Sequence, residues 1–242
     1  MTSQPSRSMA RISTFDSSPG PFPILLPFWH AAVFVDWHGV LCRDVFWFSI
    51  LNDQSHPYYD RLRKATEHLF EHSPDLVQAW MRGQVTSEDV IRSLAIRLDR
   101  RCKSDFLKRR LRDDCRRMSA HPRLLQELQM IRRNCFVVLA TDNMDCFVER
   151  LRVGRDLASA IDIVLCSSRM GVLKTDSVEN FFGPWLAAHG LGFTSALLLD
   201  DNEDICTEFE AVGGKAVVVR SVEQAIVELR HWEDSRTIDA GA

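Results

Sequence analysis

The chain has 242 residues, of which 45% are hydrophobic and 26% charged, and its formal net charge at pH 7 is −3. This is the composition of a soluble globular protein, long enough for one large or two modest domains with a hydrophobic core. The near-neutral charge excludes a whole-protein electrostatic preference for nucleic acid or anionic membranes, so such a partner would need a local basic patch.

The cysteine pattern excludes two kinds of stabilised fold. The chain has 7 cysteines and no CxxC pair. An odd number without paired spacing predicts neither a zinc site nor a disulfide framework. We therefore expect reduced, mostly buried thiols. The positions are Cys42, Cys102, Cys115, Cys135, Cys146, Cys166 and Cys206.

Both ends of the chain lack the pattern of a folded element. Residues 1–22 are rich in Ser and Pro, and residues 233–242 are typical of a loose C-terminal tail, so we expect both to be disordered. The apolar stretch that begins at residue 24 is broken by Pro27 and His30. It lacks the continuous apolar core of a signal peptide and the length of a membrane span, so we expect a cytoplasmic protein with no membrane partner.

Five short apolar runs predict the β-strands of the fold. Because they are apolar throughout, they are typical of strands covered on both faces, as in a parallel sheet. Helix-like segments follow the last four runs, and this alternation predicts an α/β fold with a doubly wound parallel sheet. The ligand crevice of such a sheet lies at the carboxyl ends of its strands. The runs are AAVFV (31–35), CFVVLA (135–140), IDIVLC (161–166), ALLLD (196–200) and KAVVV (215–219).

The segment between the first two runs breaks the alternation. It contains several amphipathic helix patterns with no strand between them, and Thr86 and Asp89 have the spacing of a helix-capping box. We interpret residues 44–130 as an α-helical cap domain inserted after the first strand. The core domain would then comprise residues 23–43 and 131–232.

Polar residues follow the predicted strands where each one ends. In a parallel sheet these ends meet at one edge, so carboxylates, a hydroxyl and an ammonium group are expected to converge in one cleft. Such a set suits a metal cation together with an anionic substrate. The residues are Asp36 after the first run, Thr141, Asp142 and Asn143 after the second, Lys174 after the third, and Asp200, Asp201 and Asp204 after the fourth.

Four segments in this order resemble the motifs of the haloacid dehalogenase (HAD) superfamily, most of whose members are magnesium-dependent phosphatases. The resemblance covers about residues 31–220, with the helical insertion where one subgroup carries its cap. It implies a phosphatase that acts on a small phosphorylated molecule and uses Mg²⁺. The segments are VFVDWHGVL, VVLATDN, GVLKTD and ALLLDDNEDI.

The resemblance also implies a role for each motif residue. Asp36 would be the nucleophile that forms an aspartyl-phosphate. Thr141 and Lys174 would hold the non-bridging phosphate oxygens, with Asp142 and Asn143 beside them, and Lys174 would keep Asp36 ionised.

The same resemblance implies the metal ligands. Mg²⁺ would be held by Asp36, the backbone carbonyl of His38 and Asp201, because a hard cation takes oxygen ligands. Asp200 is expected either to bind the ion directly or to contact the residues that bind it. Asp204 is also expected among the metal ligands, although the spacing from Asp201 to Asp204 is one residue shorter than is usual in the fourth motif.

The sequence departs from the family pattern at residue 38, where phosphatases of the family carry an aspartic acid that protonates the leaving group and then activates water. An imidazole is a common acid and base, but the positive charge of Mg²⁺ and Lys174 favours its neutral form. We therefore expect His38 to activate water well and to protonate poor leaving groups badly.

The change at residue 38 also leaves alternatives open. One is a protein with altered or lost catalysis that binds a phosphorylated ligand or a partner. Others are phosphonate or carbon–halogen cleavage, in which the leaving group is not protonated in the same way. Retention of Asp200 and Asp201 argues against a dehalogenase, since those members dispense with magnesium.

Two further features lie in the predicted cap. Phe46, Trp47 and Phe48 follow the first motif and would either belong to the core or wall the substrate pocket, and we include Trp47 among the substrate-binding residues. A dense basic stretch predicts a solvated helix face, although recognition of an acidic substrate, a nucleic acid or an acidic protein surface stays open. It contains Arg100, Arg101, Lys103, Lys108, Arg109, Arg110, Arg112, Arg116 and Arg117.

Overall fold

The structure is a computed structural model that describes residues 13–14, 29–98 and 104–239. Side chains are described for residues 29–98 and 104–236. Most of the N-terminal segment expected to be disordered, and the last residues of the expected C-terminal tail, lie outside the described residues.

A parallel sheet of six strands forms the centre of the core, in the order β1-β4-β3-β2-β5-β6. The strands β2 to β6 coincide with the five predicted apolar runs, which confirms the α/β fold. The short edge strand β1 was not expected, since it lies in the segment predicted to be disordered. The strands are β1 (Ser13–Thr14), β2 (Ala32–Val35), β3 (Phe136–Thr141), β4 (Ile163–Cys166), β5 (Ala196–Asp200) and β6 (Lys215–Val218).

Both faces of the sheet are covered, as the uniformly apolar strands require. Along β2, Val33 and Val35 face one apolar cluster, whereas Phe34 faces another. The second cluster is aromatic, with Phe34 in edge-to-face contact with Phe182 and Trp185 at centroid distances of 4.8 and 5.4 Å. Helices α10 (Val178–Ala188) and α11 (Glu203–Ala211) supply residues to that cluster.

In the part of the chain that the structure describes, six helices lie between β2 and β3, which confirms a helical insertion after the first strand of the predicted core. Thr86 and Asp89 form the predicted capping box at the start of α4: the N–H of Asp89 donates to Thr86 Oγ1 at 3.3 Å, and the N–H of Thr86 donates to Asp89 Oδ2 at 3.2 Å. The helices are α1 (Phe48–Leu51), α2 (Tyr59–His72), α3 (Pro74–Met81), α4 (Ser87–Leu98), α5 (Ser104–Arg117) and α6 (Pro122–Ile131).

Helix α6 packs with the core, although the sequence analysis placed it in the cap. It contacts α8 (Arg155–Ala160) and α12 (Val222–Asp239). Arg123 of α6 also pairs with Glu223 of α12 at 2.8 Å. The sequence pattern shows that α6 has an apolar face but not which surface buries that face. We therefore propose that the cap ends between α5 and α6 and not at residue 130.

The helices after β3 complete the alternation of strands and helices. The last of them, α12, continues to Asp239, so the chain is helical well beyond residue 233, where a loose tail was expected. Trp232 is buried and the guanidinium of Arg236 lies 4.8 Å from the centroid of its ring, which extends the packed part of the helix. The remaining helices are α7 (Val148–Val153) and α9 (Ser167–Met170).

The state of the cysteines and the character of the helices bear on two expectations from the composition. The cysteines in the part of the chain that the structure describes are all free and buried, as expected. Within the same residues, no helix combines the length and the apolar character needed to cross a bilayer.

Candidate active site

The carboxyl ends of β2 and β5 place two carboxylates side by side. These strands are neighbours, with Val35 paired to Leu199, and the N–H of Asp36 continues the ladder by donating to the Leu199 carbonyl at 2.9 Å. Asp200 and Asp201 follow at the end of β5. One carboxylate oxygen from each of Asp36, Asp200 and Asp201 lies within 4.8 Å of the others.

Lys174 joins this cluster from the loop between α9 and α10. Its Nζ lies 3.0 Å from Asp36 Oδ1 and 2.6 Å from Asp200 Oδ2, and only 2% of the residue is exposed. Its backbone N–H donates to the carboxylate of Asp142 at 3.0 Å. Residues from the ends of β2, β3 and β5 therefore surround one buried ammonium group.

Burial and charge set the protonation of these groups. Burial raises the pKa of Asp36 to about 7, although the ammonium of Lys174 acts in the opposite direction. Burial also raises the pKa of Asp142. Burial alone would lower the pKa of Lys174, but the carboxylates of Asp36, Asp200 and Asp142 raise it above its usual value. Lys174 therefore stays charged at neutral pH.

The donor set fits a hard divalent cation. The carboxylates of Asp36, Asp200 and Asp201 face one ammonium, so the cleft carries an excess of negative charge on oxygen atoms. Asp200 is already occupied, since Oδ2 accepts from Lys174 and Oδ1 accepts the N–H of Asn202 at 3.0 Å. Asp36 and the partly exposed Asp201 are the carboxylates left to bind a cation.

Asp204 does not share this position. It is exposed in the first turn of α11 and is not among the three clustered carboxylates. Asn202 caps that helix, accepting the N–H groups of Asp204 and Ile205 at 2.9 and 3.2 Å. Asp204 therefore does not join the three clustered carboxylates, and its role as a metal ligand stays a prediction.

The loop after Asp36 is tight, and Gly39 is essential to its geometry. Gly39 has φ +84°, and a Cβ at this position would lie 2.0 Å from Asp201 Oδ2. The loop is closed by the N–H of Gly39, which donates to Cys42 O at 2.8 Å. Sequence reasoning missed this residue. The glycine directly after His38 was the available signal, because glycine permits a positive φ and close approach of another group.

His38 lies on the same loop with its side chain exposed. Its backbone pairs with Cys42, which holds the loop, while the imidazole lines two cavities beside the carboxylates. The side chain is therefore free to contact water and a bound ligand.

Thr141, Asp142 and Asn143, at the end of β3 and just after it, differ in how available they are to a ligand. Asp142 lines the cleft, whereas Thr141 is buried at the end of the strand. Asn143 is also buried, and its Oδ1 accepts the N–H of Met144 at 3.0 Å, while its own N–H donates to Ser167 Oγ at 2.9 Å. Asn143 thus shapes the loop, and Asp142 is the residue of this segment most available to a ligand.

Trp47 is both a core residue and a wall residue of the cavity under the cap. It is fully buried, its indole N–H donates to the Leu107 carbonyl at 3.0 Å, and its backbone has the left-handed φ of 57°. One face of the side chain also lines the large cavity under the cap. Trp47 is therefore a rigid wall residue that joins α1 to α5.

The cap is fastened over the strand ends by specific contacts. The indole N–H of Trp80 donates to Asp145 Oδ1 at 3.0 Å, and Ser167 Oγ donates to the Met81 carbonyl at 2.8 Å. Arg82 forms an ion pair with Asp176, two residues after Lys174. The end of α3 is thereby tied to loops that carry site residues.

Much of the basic stretch of α5 is paired within the protein. Arg112 and Arg116 bind Glu149 of the core at 3.2 and 2.9 Å. Lys108 binds Glu88 at 2.7 Å. Arg100, Arg101 and Lys103 lie outside the described residues. This pairing favours a solvated, ion-paired helix face for the part of the stretch that the structure describes.

Comparison with solved structures identifies the fold. A HAD family enzyme from Bacteroides thetaiotaomicron, in complex with magnesium and inorganic phosphate, matches with a TM-score of 0.57 at 12% identity, covering 79% of this chain and 94% of that one. The chain has the HAD-like fold. A protein from Porphyromonas gingivalis described as a HAD-like family hydrolase matches with a TM-score of 0.59 at 16% identity, covering 78% of this chain and 90% of that one.

The HAD-like fold is also shared with a dehalogenase. An L-2-haloacid dehalogenase matches with a TM-score of 0.57 at 15% identity, covering 77% of this chain and 82% of that one. No protein-family model matches the sequence, nor does any curated protein. The structural similarity therefore agrees with the fold expected from the four motifs.

Proposed function

We propose that the protein is a magnesium-dependent phosphatase that cleaves a small phosphomonoester through an aspartyl-phosphate on Asp36. The observation that carries this proposal is the buried cluster at the strand ends, where Lys174 Nζ lies between Asp36 and Asp200 and the carboxylate of Asp201 adjoins them. Asp36 and Asp201, with the backbone carbonyl of His38, would hold Mg²⁺. The bound ion would neutralise charge on the phosphate oxygens.

In the first step an oxygen of Asp36 attacks the phosphorus. A bond forms between that oxygen and phosphorus, and the bond from phosphorus to the leaving oxygen breaks. The electron pair goes to the leaving oxygen, which takes a proton from solvent water. Splitting the displacement in this way replaces one difficult reaction by two easier ones.

Lys174 would hold the transferring phosphoryl group while remaining charged. Its ammonium is fixed by Asp200 on one side and faces Asp36 on the other. A preorganised cation at this position stabilises negative charge on the non-bridging oxygens without rearrangement during the reaction. Asp142 holds the backbone of Lys174 in place.

In the second step water attacks the phosphorus of the aspartyl-phosphate. His38 would take a proton from that water, the bond between Asp36 and phosphorus would break, and inorganic phosphate would leave. The exposed imidazole on the tight loop after Asp36 supports this role.

The test is phosphate release from a panel of phosphomonoesters, with and without Mg²⁺, for the wild type, Asp36→Asn and Asp60→Asn. We expect magnesium-dependent turnover that falls about 10³-fold or more in Asp36→Asn. Asp60→Asn is the matched control, because Asp60 is exposed in the first turn of α2. Its turnover should equal that of the wild type.

A second readout separates a phosphatase from a binding protein. Beryllium fluoride should form a stable complex with the wild type in the presence of Mg²⁺ and none with Asp36→Asn. Magnesium-tightened binding of phosphate without turnover of any ester would instead indicate a binding protein that has lost catalysis. Turnover that persists in Asp36→Asn would contradict the proposed nucleophile.

A further inference from the structure

A large cavity lies under the cap beside the carboxylate cluster. Its volume is about 550 Å³, a size typical of sites that enclose a drug-sized organic molecule. Its walls are mostly aromatic, aliphatic and thioether side chains. They include Trp37, Val45, Phe46, Trp47, Leu51, Phe70, Met81, Met118 and Met144.

This cavity adjoins the cleft lined by Lys174, because the two spaces share wall residues. Phe70, Met81 and Asp142 line both spaces. Asp142 also accepts the backbone N–H of Lys174 at 3.0 Å, so the boundary between the two spaces lies next to the backbone of Lys174. A molecule with its phosphate beside Lys174 would therefore place its organic part in the cavity under the cap.

Apart from His38, the ionisable residues that line the cavity are acidic. Among the described residues that line it, Asp44, Glu67, Glu71 and Asp142 are acidic, and none is a lysine or arginine. Glu67 and Glu71 are one helical turn apart on α2 and both are exposed, but Glu67 already pairs with Arg63 at 2.6 Å, so the carboxylate of Glu71 is the more available of the two. A second anionic group in the substrate would meet like charges there, whereas a cationic group would be attracted.

Positive charge lies on the other side of His38. A separate open groove there is lined by Arg43 and Arg220, but Arg220 is already bound to Glu203 at 3.2 Å and to the carbonyl of Asp201 at 3.3 Å. An anionic leaving group would have to lie in this groove and not under the cap. The cavity under the cap therefore favours a cationic group of the substrate, whereas the groove favours an anionic one.

We infer that the leaving group of the substrate is an apolar organic body without a second anionic group, preferably ending in an amine, and that it occupies the cavity under the cap. This inference rests on the proposed function, since the position of the phosphate fixes which part of the substrate enters the cavity. Phe70, Met81 and the aromatic walls bind the body, and Glu71, with Glu67 one turn before it, binds the amine. Nucleotides and bisphosphates are excluded as substrates.

The first test varies length and terminal charge in alkyl phosphates. The probes are ethyl phosphate, hexyl phosphate, aminohexyl phosphate and carboxypentyl phosphate, with the charged group at the far end of the chain. We expect kcat/KM to rise by about fourfold per added methylene. Aminohexyl phosphate should exceed carboxypentyl phosphate by at least about tenfold at low salt.

Substitutions of the two glutamates test whether they cause the charge preference. In Glu67→Gln/Glu71→Gln the ratio between the amine and carboxylate probes should fall to within about twofold. The matched control is Asp60→Asn/Asp75→Asn, which removes two exposed charges from the cap outside the cavity and should retain the wild-type ratio. A wild-type preference for the carboxylate probe, or no dependence on chain length, would overturn the inference.

The second test does not depend on catalysis. Calorimetric titration with octylamine, octanol and octanoate measures binding to the cavity alone. The expected order of affinity is amine, alcohol, carboxylate, and the reverse order or no binding would contradict the inference. Absence of turnover with every phosphate, together with the expected binding order, would reject the phosphatase proposal while leaving the cavity's preference intact.

Discussion

Gly39 faces the carboxylate of Asp201 so closely that a methyl group on its α-carbon would lie 2.0 Å from Asp201 Oδ2. Its φ of +84° adds a second reason for glycine, since an L-residue is strained in this region. Gly39 therefore allows the loop that carries Asp36 and His38 to approach Asp201, after the end of β5, without a steric clash.

Gly39→Ala should weaken Mg²⁺ binding by at least about tenfold, because the added methyl displaces Asp201, one of the two proposed carboxylate ligands. Isothermal titration calorimetry measures this affinity. Gly190→Ala is the control, since Gly190 also has a positive φ, +68°, but open space around it. Both variants should lose about 1–2 kcal/mol of stability. Equal Mg²⁺ affinity in the two variants would contradict the steric explanation.

The affinity for Mg²⁺ should depend on pH through Asp36. In the metal-free protein burial raises the pKa of Asp36 to about 7, so below this pH the carboxyl carries a proton that the cation must displace. Affinity should therefore rise by up to about tenfold per unit as pH increases toward 7 and level off above it.

Proton release provides the check on that pH dependence. Calorimetry at pH 6 in buffers of different ionisation enthalpy should show about one proton released per ion bound. Asp36→Asn removes the titrating group, so its remaining binding should release almost none. A pH-independent affinity between pH 5.5 and 8 in the wild type would count against the raised pKa.

Lys174→Met should destabilise the protein in a pH-dependent way. It leaves the buried carboxylates of Asp36 and Asp200 without their cation, which costs about 3–5 kcal/mol of unfolding free energy at pH 8 in EDTA. At pH 5 the loss should be smaller, because the folded variant can protonate Asp36, whose pKa burial raises, while the unfolded chain keeps this carboxyl ionised.

Urea denaturation at the two pH values measures this difference. Lys108→Met is the matched control, since Lys108 forms an exposed ion pair with Glu88 at 2.7 Å. That variant should lose much less stability at either pH, because water screens exposed pairs. A loss in Lys174→Met that is the same at pH 5 and pH 8 would show that the two carboxylates do not cause it.

His38→Asp should raise turnover of esters with poor leaving groups. A carboxylic acid at this position can protonate an alkoxide, a contribution worth about 10²-fold or more in general acid catalysis. The comparison is hexyl phosphate against p-nitrophenyl phosphate, whose leaving group needs no proton. His231→Asp, at an exposed position on α12, is the control and should change neither rate. Unchanged or lower turnover of hexyl phosphate in His38→Asp would contradict the role proposed for His38.

The sequence alone predicted the α/β fold, the parallel sheet and the helical insertion. It could do so because apolar runs and helical periodicity are local properties of the chain. It also predicted that Asp36, Lys174, Asp200 and Asp201 would meet, because the carboxyl ends of parallel strands lie at one edge whatever the loops do.

Distances and surfaces depended on the tertiary structure. Only the packing of β2 beside β5 showed that Asp200 binds Lys174 and that Gly39 touches Asp201. Only the tertiary structure showed that Asp204, in the first turn of α11, lies outside the cluster of carboxylates. Helix α6 likewise carries an apolar face in its sequence, but the surface that buries this face belongs to other segments.

The cavity under the cap also depends on the tertiary structure. Its walls come from the loop after β2, from α1, α2 and α3, and from the loop after β3, which are far apart along the chain. Hydrophobic patterning identifies each of these segments as buried or half-buried, but a pocket is the space between segments. The chain's local patterns therefore determined the fold and the reactive groups, whereas the shape and charge that would select a substrate arose only when distant segments packed together.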